Sequence, residues 1–167
     1  MGILNVKLGV CTVVFGGTDL GHTIGGVEVT YSPEYHETKV DKYNAVSERW
    51  LVGEKWSAKV PLAENTIANI GVAIPHATIA APNRYATMGK TAGQRTSTLA
   101  QKLVLHPIGL ASSDHSGDVI LYKAHVNSEL TIAYKNDGEQ ILEVVFEAIV
   151  DETKNDGAYL GMVGDSL

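Results

Sequence analysis

Chemistry in a chain of 167 residues would have to come from a small set of side chains. The six histidines are His22, His36, His76, His106, His115 and His125. No two of them stand at i, i+4 on a helical stretch, and there is no HExxH and no paired-cysteine spacing. A metal site assembled from distant positions would leave no mark in such spacing, so no metal ligand and no cofactor is assigned. Asp114-His115-Ser116 has the residue types of a hydrolytic triad, but triad members converge in space rather than in sequence. Three polar residues before Gly117 read as a loop, and no GxSxG elbow supports a nucleophile. Met88-Gly89-Lys90-Thr91 matches only the second half of a phosphate loop; its first glycine is missing. Cys11 lies in the apolar run 10–15 and reads as a small buried hydrophobe. These residues identify no catalytic group, and the chain is not expected to be an enzyme.

The elements around these residues are more informative. Val27, Val29, Tyr31 and Tyr35 alternate with Glu28, Thr30, Ser32 and Glu34. Farther on, Trp56, Ala58, Val60 and Leu62 alternate with Lys55, Ser57, Lys59 and Pro61. Strict alternation marks half-buried strands. About a dozen polar residues without a tight-turn signal join them, against the usual 2–5 or so of a hairpin loop. The expectation is a hairpin arm over 36–54 that projects beyond its sheet. Trp50, between Arg49 and Leu51 in that polar arm, reads as a contact residue, and Trp56 reads as core.

Residues 3–15 read as an apolar strand or arm, ended by Gly16-Gly17. A helix is expected over 64–75: Ile67, Ile70 and Ile74 recur at helical spacing, Glu64 or Asn65 offers a cap, and Pro75 ends it. Residues 82–98 form a polar loop carrying Arg84, Lys90 and Arg95, with Lys102 just beyond. Strands are expected over 99–106, 119–126, 129–134 and 139–150, with turn chemistry at 111–118 and a hairpin turn at Asn136-Asp137-Gly138. The tail 151–167 is acidic and then apolar, and Leu160, Met162 and Val163 tie it down. No linker or repeat divides the chain, so a single domain is expected over 1–167. Its class is all-β with one short helix: a β-sandwich or barrel with a long projecting hairpin and extended terminal arms.

Composition narrows the partners. The net charge is -6, with 13 basic residues scattered among 19 acidic ones, so there is no cationic stripe to grip phosphates. A single cysteine rules out an intrachain disulfide framework and fits a reducing compartment. No run approaches the roughly 18 apolar residues of a membrane span. No signal peptide is expected, and Val6 at the sixth position spoils a myristoylation signal.

The order of the motifs resembles the tail tube (major tail) proteins of long-tailed bacteriophages. An early GGVEV strand leads into an acidic hairpin that ends in Gly53-Glu54. An alternating strand then runs through Pro61-Leu62-Ala63-Glu64 into a short helix, and a late Gly164-Asp165 closes the series. Each motif is short; their order along nearly the whole chain carries the likeness. The resemblance implies a structural virion protein, made in the host bacterial cytoplasm and located in the tail. It implies hexameric rings stacked into a hollow tube, with DNA as passing cargo and no membrane anchor. Its partners would be further copies of itself, tape-measure, terminator and baseplate or tip proteins, and a sheath in contractile tails. Related tubes occur in contractile tails, pyocins and type VI secretion systems.

For such an assembly the expected subunit contacts are Asp41, Glu48, Trp50, Leu51, Arg84, Arg95, Leu160 and Met162. The expected lumen-facing carboxylates are Glu28, Glu34, Glu143 and Glu147. Two other classes stay open: a monomeric β-sandwich binding module, and a small enzyme with a site assembled from loops.

Overall fold

Inward-facing apolar residues at period 2 build one large antiparallel sheet. The computed structural model describes residues 9–82, 84–127, 129–132, 134 and 138–165. Its elements are β1 (Cys11–Phe15), β2 (Thr18–Asp19), β3 (Glu28–Val40), β4 (Ala45–Leu62), α1 (Ile67–Ala73), β5 (Thr78–Ile79) and β6 (Ala86–Thr87). A 3-10 turn (Thr96–Thr98) follows, then β7 (Gln101–Pro107), β8 (Val119–Val126), β9 (Leu142–Ala148) and β10 (Gly161–Val163). The protein is therefore mostly β with one short helix, as the alternation implies. The strand order is β2-β1-β7-β8-β9-β4-β3, with β10 beside β8. One edge of β8 is shared: β10 pairs with residues 119–121 and β9 with 124–126. β5 and β6 form a separate two-stranded sheet.

The core follows the alternation. Val13 and Phe15 of β1, Ala58, Val60 and Leu62 of β4, Leu103 and Leu105 of β7, and Leu142, Val144 and Phe146 of β9 are buried. The rings of Phe15 and Phe146 meet at 4.9 Å across the interior. In β8 the buried residues are Leu121 and Ala124, an odd spacing. A register shift opposite Gln101–Leu103 inserts one residue and returns Ala124 to the inner face.

The segment after β2 connects strands near the two ends of the sheet. The Leu20 N–H donates to the Val13 carbonyl in β1 (2.9 Å). Farther along, the Ile24 N–H donates to Pro61 (3.0 Å) and the Ala63 N–H to His22 (2.8 Å), beside β4. The buried Asn69 of α1 secures this crossing, because its Nδ2 donates to the Leu20 carbonyl (3.1 Å) and the Glu64 carbonyl (2.8 Å). A buried amide with both donors used is inexpensive; a carbonyl deprived of its donor is not.

Several expectations shift. The helix is shorter than 64–75, and its cap is Thr66 rather than Glu64 or Asn65. Thr66 is extended, and its hydroxyl accepts from the Asn69 N–H at 3.1 Å. Asn65 instead donates to Gln140. Gly71, unfavourable for a helix by propensity, has a packing reason: a Cβ there would lie 2.8 Å from the Ile79 side chain. The strand expected over 129–134 does not form at the described residues 129–132 and 134. Leu130 packs on the core without ladder pairing. The strand of 139–150 narrows to Leu142–Ala148. Residues 1–8 of the expected N-terminal arm, and Asn136 and Asp137 of the expected turn, lie outside the described residues. The loop 82–98 contains β6 and the 3-10 turn.

Asn69→Ala is expected to lower unfolding stability by about 1–3 kcal/mol in urea titrations, since two carbonyls lose their donor. Asn65→Ala, at an exposed position, is expected to change it by less than about 0.5 kcal/mol.

Candidate assembly surface

β4 is paired on both edges only where it crosses the core. With β9 it pairs over Ser57–Leu62, and with β3 over Ala45–Lys59. Beyond Ser57 the two strands leave the sheet as a two-stranded ribbon. From Tyr31 to Val40 it reaches roughly 30 Å at the rise of an extended chain. The polar segment 36–54 is therefore a paired ladder rather than a long loop. Pairing persists to Val40↔Ala45, and the turn between them contains Asn44 at φ 45°. Asparagine tolerates this left-handed conformation, so a turn signal was present in Tyr43-Asn44. Along this ladder Arg49 and Glu37 fall at paired positions and meet at 2.9 Å.

The register sorts the ribbon into two faces. Val29↔Ala58 sits over the core, and the next pairs on that side are Tyr31↔Trp56 and Pro33↔Glu54; a β-bulge then brings Tyr35↔Leu51 to the same side. The core-facing side of the sheet thus continues after the core has ended, largely apolar but interrupted by Glu54. Trp56 packs against the core as expected, with Tyr31 edge-on at 6.2 Å. Tyr31 and Leu51 remain 50% and 53% exposed. The Tyr31 hydroxyl donates to Glu54, which holds its phenol proton above the ordinary range. Trp50 lies on the opposite face across from His36 and is 62% exposed. Asp41 is exposed in the turn and Glu48 is exposed opposite Thr38.

That second face gathers the four carboxylates singled out from the sequence. Glu28 and Glu34 come from β3, Glu143 and Glu147 from β9, and the register puts all four on the side away from the core. Two of them are neutralised, by Lys59–Glu143 at 3.1 Å and Lys55–Glu147 at 3.2 Å. Burial alone would raise the Glu147 carboxyl. The hydrogen bond from Asn127 (2.6 Å) and the Lys55 ammonium outweigh it and hold the group below its usual value. The face is a mixed lattice of carboxylates and lysines rather than a uniformly acidic one.

The remaining candidates lie apart. Arg84 and Arg95 are exposed, and neither is in an ion pair among the described residues. Leu160 packs on this chain's own core, and Met162 pairs with Ile120. Cys11 is half-buried, and burial pushes its thiol up, as for an inert hydrophobe. Asp114 accepts from the Ser116 N–H (3.1 Å) in a local turn, while the His115 ring faces Asp118 instead. The grouping of His106, His115 and Asp118 was not visible in the sequence; only the spacing of His115 and Asp118 hinted at it. The groove between α1 and the sheet, lined by Phe15, Leu20, Asn69 and Ile79, has no titratable side chain among its described lining residues.

No protein-family model matches the chain, and no curated protein matches it. Among the described residues, no helix is long and apolar enough to cross a membrane.

The depressed Glu147 carboxyl stabilises the fold above the unfolded pKa, and that contribution is lost as pH falls through the lower folded value. Glu147→Gln is therefore expected to be less stable than the parent near pH 7, by less than about 1 kcal/mol. The gap should close below about pH 4, in paired urea titrations. A gap independent of pH would assign the effect of Glu147 to packing.

Proposed function

We propose that this chain is a structural tube protein that polymerises as stacked hexameric rings, the tail tube of a long-tailed phage, with no catalytic role. The observation that carries this reading is the uncovered ribbon. Two-stranded hairpins are marginal in water by themselves, and this one extends an apolar stripe with Tyr31, Tyr35 and Leu51 exposed. A ribbon of this length gains stability when its apolar face and free edges meet another surface. A second copy of the chain is the occupant argued for, because a heterologous contact repeated between copies generates rings or filaments. The exposed Arg84 and Arg95, without an ion pair among the described residues, complement the acidic ribbon residues Asp41 and Glu48 for contacts between neighbours. The segment 20–24, hydrogen-bonded toward both ends of the sheet, supports a barrel-like closure. The carboxylate and lysine lattice supports a lumen wall that does not hold DNA.

Replacing residues 37–49 by Asn-Gly keeps His36 and Trp50 as the last pair and removes the outer ribbon. The parent protein at high concentration is expected to form tubes in negative-stain electron micrographs, and the shortened chain to stay monomeric with an unchanged circular dichroism core signal. Tubes of normal appearance from the shortened chain would remove residues 37–49 from the interface; a parent that stays monomeric would favour a binding module.

The subunit is also expected not to bind duplex DNA measurably at physiological salt, either free or assembled. A net charge of -6 offers no cationic track for counterion release. Fluorescence titration at several salt concentrations checks this, and micromolar binding that falls steeply with salt would contradict the conduit.

A further inference from the structure

Outside the ribbon, one cluster gathers three metal-ligand side chains. His106 closes β7, and His115 and Asp118 lie on the turn that enters β8. The Nδ1 of His106 stands 2.6 Å from one Asp118 carboxylate oxygen, and the Nδ1 of His115 stands 2.8 Å from the other. The two rings meet edge to face at 6.0 Å. Asp118 is 1% exposed, and its backbone is held on both sides. Its N–H donates to the His115 carbonyl (3.0 Å), and its carbonyl accepts from the Gly164 N–H (2.8 Å).

We propose that His106, His115 and Asp118 form a binding site for a divalent transition metal, with zinc the ion best suited to two imidazoles and one carboxylate. The ligand atoms already lie within 4.8 Å of one another. Bonds of about 2.0–2.2 Å to a shared ion would require the two Nδ1–carboxylate contacts, now at hydrogen-bond length, to lengthen as the ion replaces their protons and draws the two rings together. Each imidazole would present Nδ1 as a lone pair and carry its proton on Nε2, and the carboxylate would cancel one of the two positive charges. A buried carboxylate is costly unless paired, and a cation between the rings pairs it more strongly than neutral imidazole N–H groups do. Three protein ligands leave a fourth position for water, and the half-exposed His115 ring gives the ion a way in. The bound ion would tie the end of β7, the turn before β8 and, through Gly164, the tail.

The test is calorimetric titration of the chelator-dialysed full chain with zinc chloride, repeated with cobalt(II) to read its visible absorption. The parent is expected to take up one equivalent saturably. His115→Ala, at an exposed turn position, and His106→Ala should each weaken uptake at least about tenfold. His36→Ala on the ribbon and Cys11→Ser should leave it unchanged. His106→Ala is judged only if its circular dichroism is native; His115→Ala decides otherwise. No saturable uptake by the parent, parental affinity in His115→Ala, or loss of uptake on Cys11→Ser would each overturn the site.

Discussion

Strand β4 has to satisfy two environments with one backbone ladder, and most of the molecule is arranged around that constraint. At its C-terminal end Ala58, Val60 and Leu62 are fully buried, with β9 along one edge. From Ala45 to Val52 every residue is exposed, although the pairing with β3 runs on. Hydrogen-bond register does not stop where the core stops. The side-chain period of 2 therefore carries the inward face outward through Tyr31 and Trp56, and a β-bulge between Glu34 and Tyr35 brings Leu51 opposite Tyr35 on the same side. The ribbon's register is anchored by burial at its base rather than by its tip.

The opposite face shows how the same period handles charge. Lys55 and Lys59 project between β3 and β9, and the carboxylates of both neighbours lie on that side. Exposed pairs of this kind contribute little each. Their main effect is on register, because a one-residue slip would set Lys59 against the buried Val144 or Phe146 and take its pairing with Glu143 away. Composition shows only the net charge; the cross-strand positions decide where it is cancelled.

Asn69 connects helix and sheet through two carbonyls. One belongs to Leu20, on the segment that runs from β1 toward β4, and the other to Glu64, at the exit of β4. The single helix thus orders a crossing of the chain as well as covering part of the core. The close approach of Gly71 to Ile79 seats the small β5–β6 sheet against the same helix.

Local alternation made much of this legible in advance. The alternating faces of 27–35 and 55–62 and the core role of Trp56 follow from period 2, and the exposure of Trp50 from the polarity of its arm, because a strand's two faces see different solvents. Pro75 and the spacing of Ile67, Ile70 and Ile74 likewise marked the helix. What sequence could not determine was set by partners distant along the chain. Residues 129–132 carry strand-like apolar positions, yet Leu130 is held by the core rather than by a ladder. Residues 36–54 look like a polar loop, yet their charges complement one another only across the ladder. His106 and His115 meet only because Asp118 at the mouth of β8 lies between them. Periodicity reports which face a side chain prefers; pairing, and the convergence of ligands, depend on which strands become neighbours, and only the tertiary structure decides that.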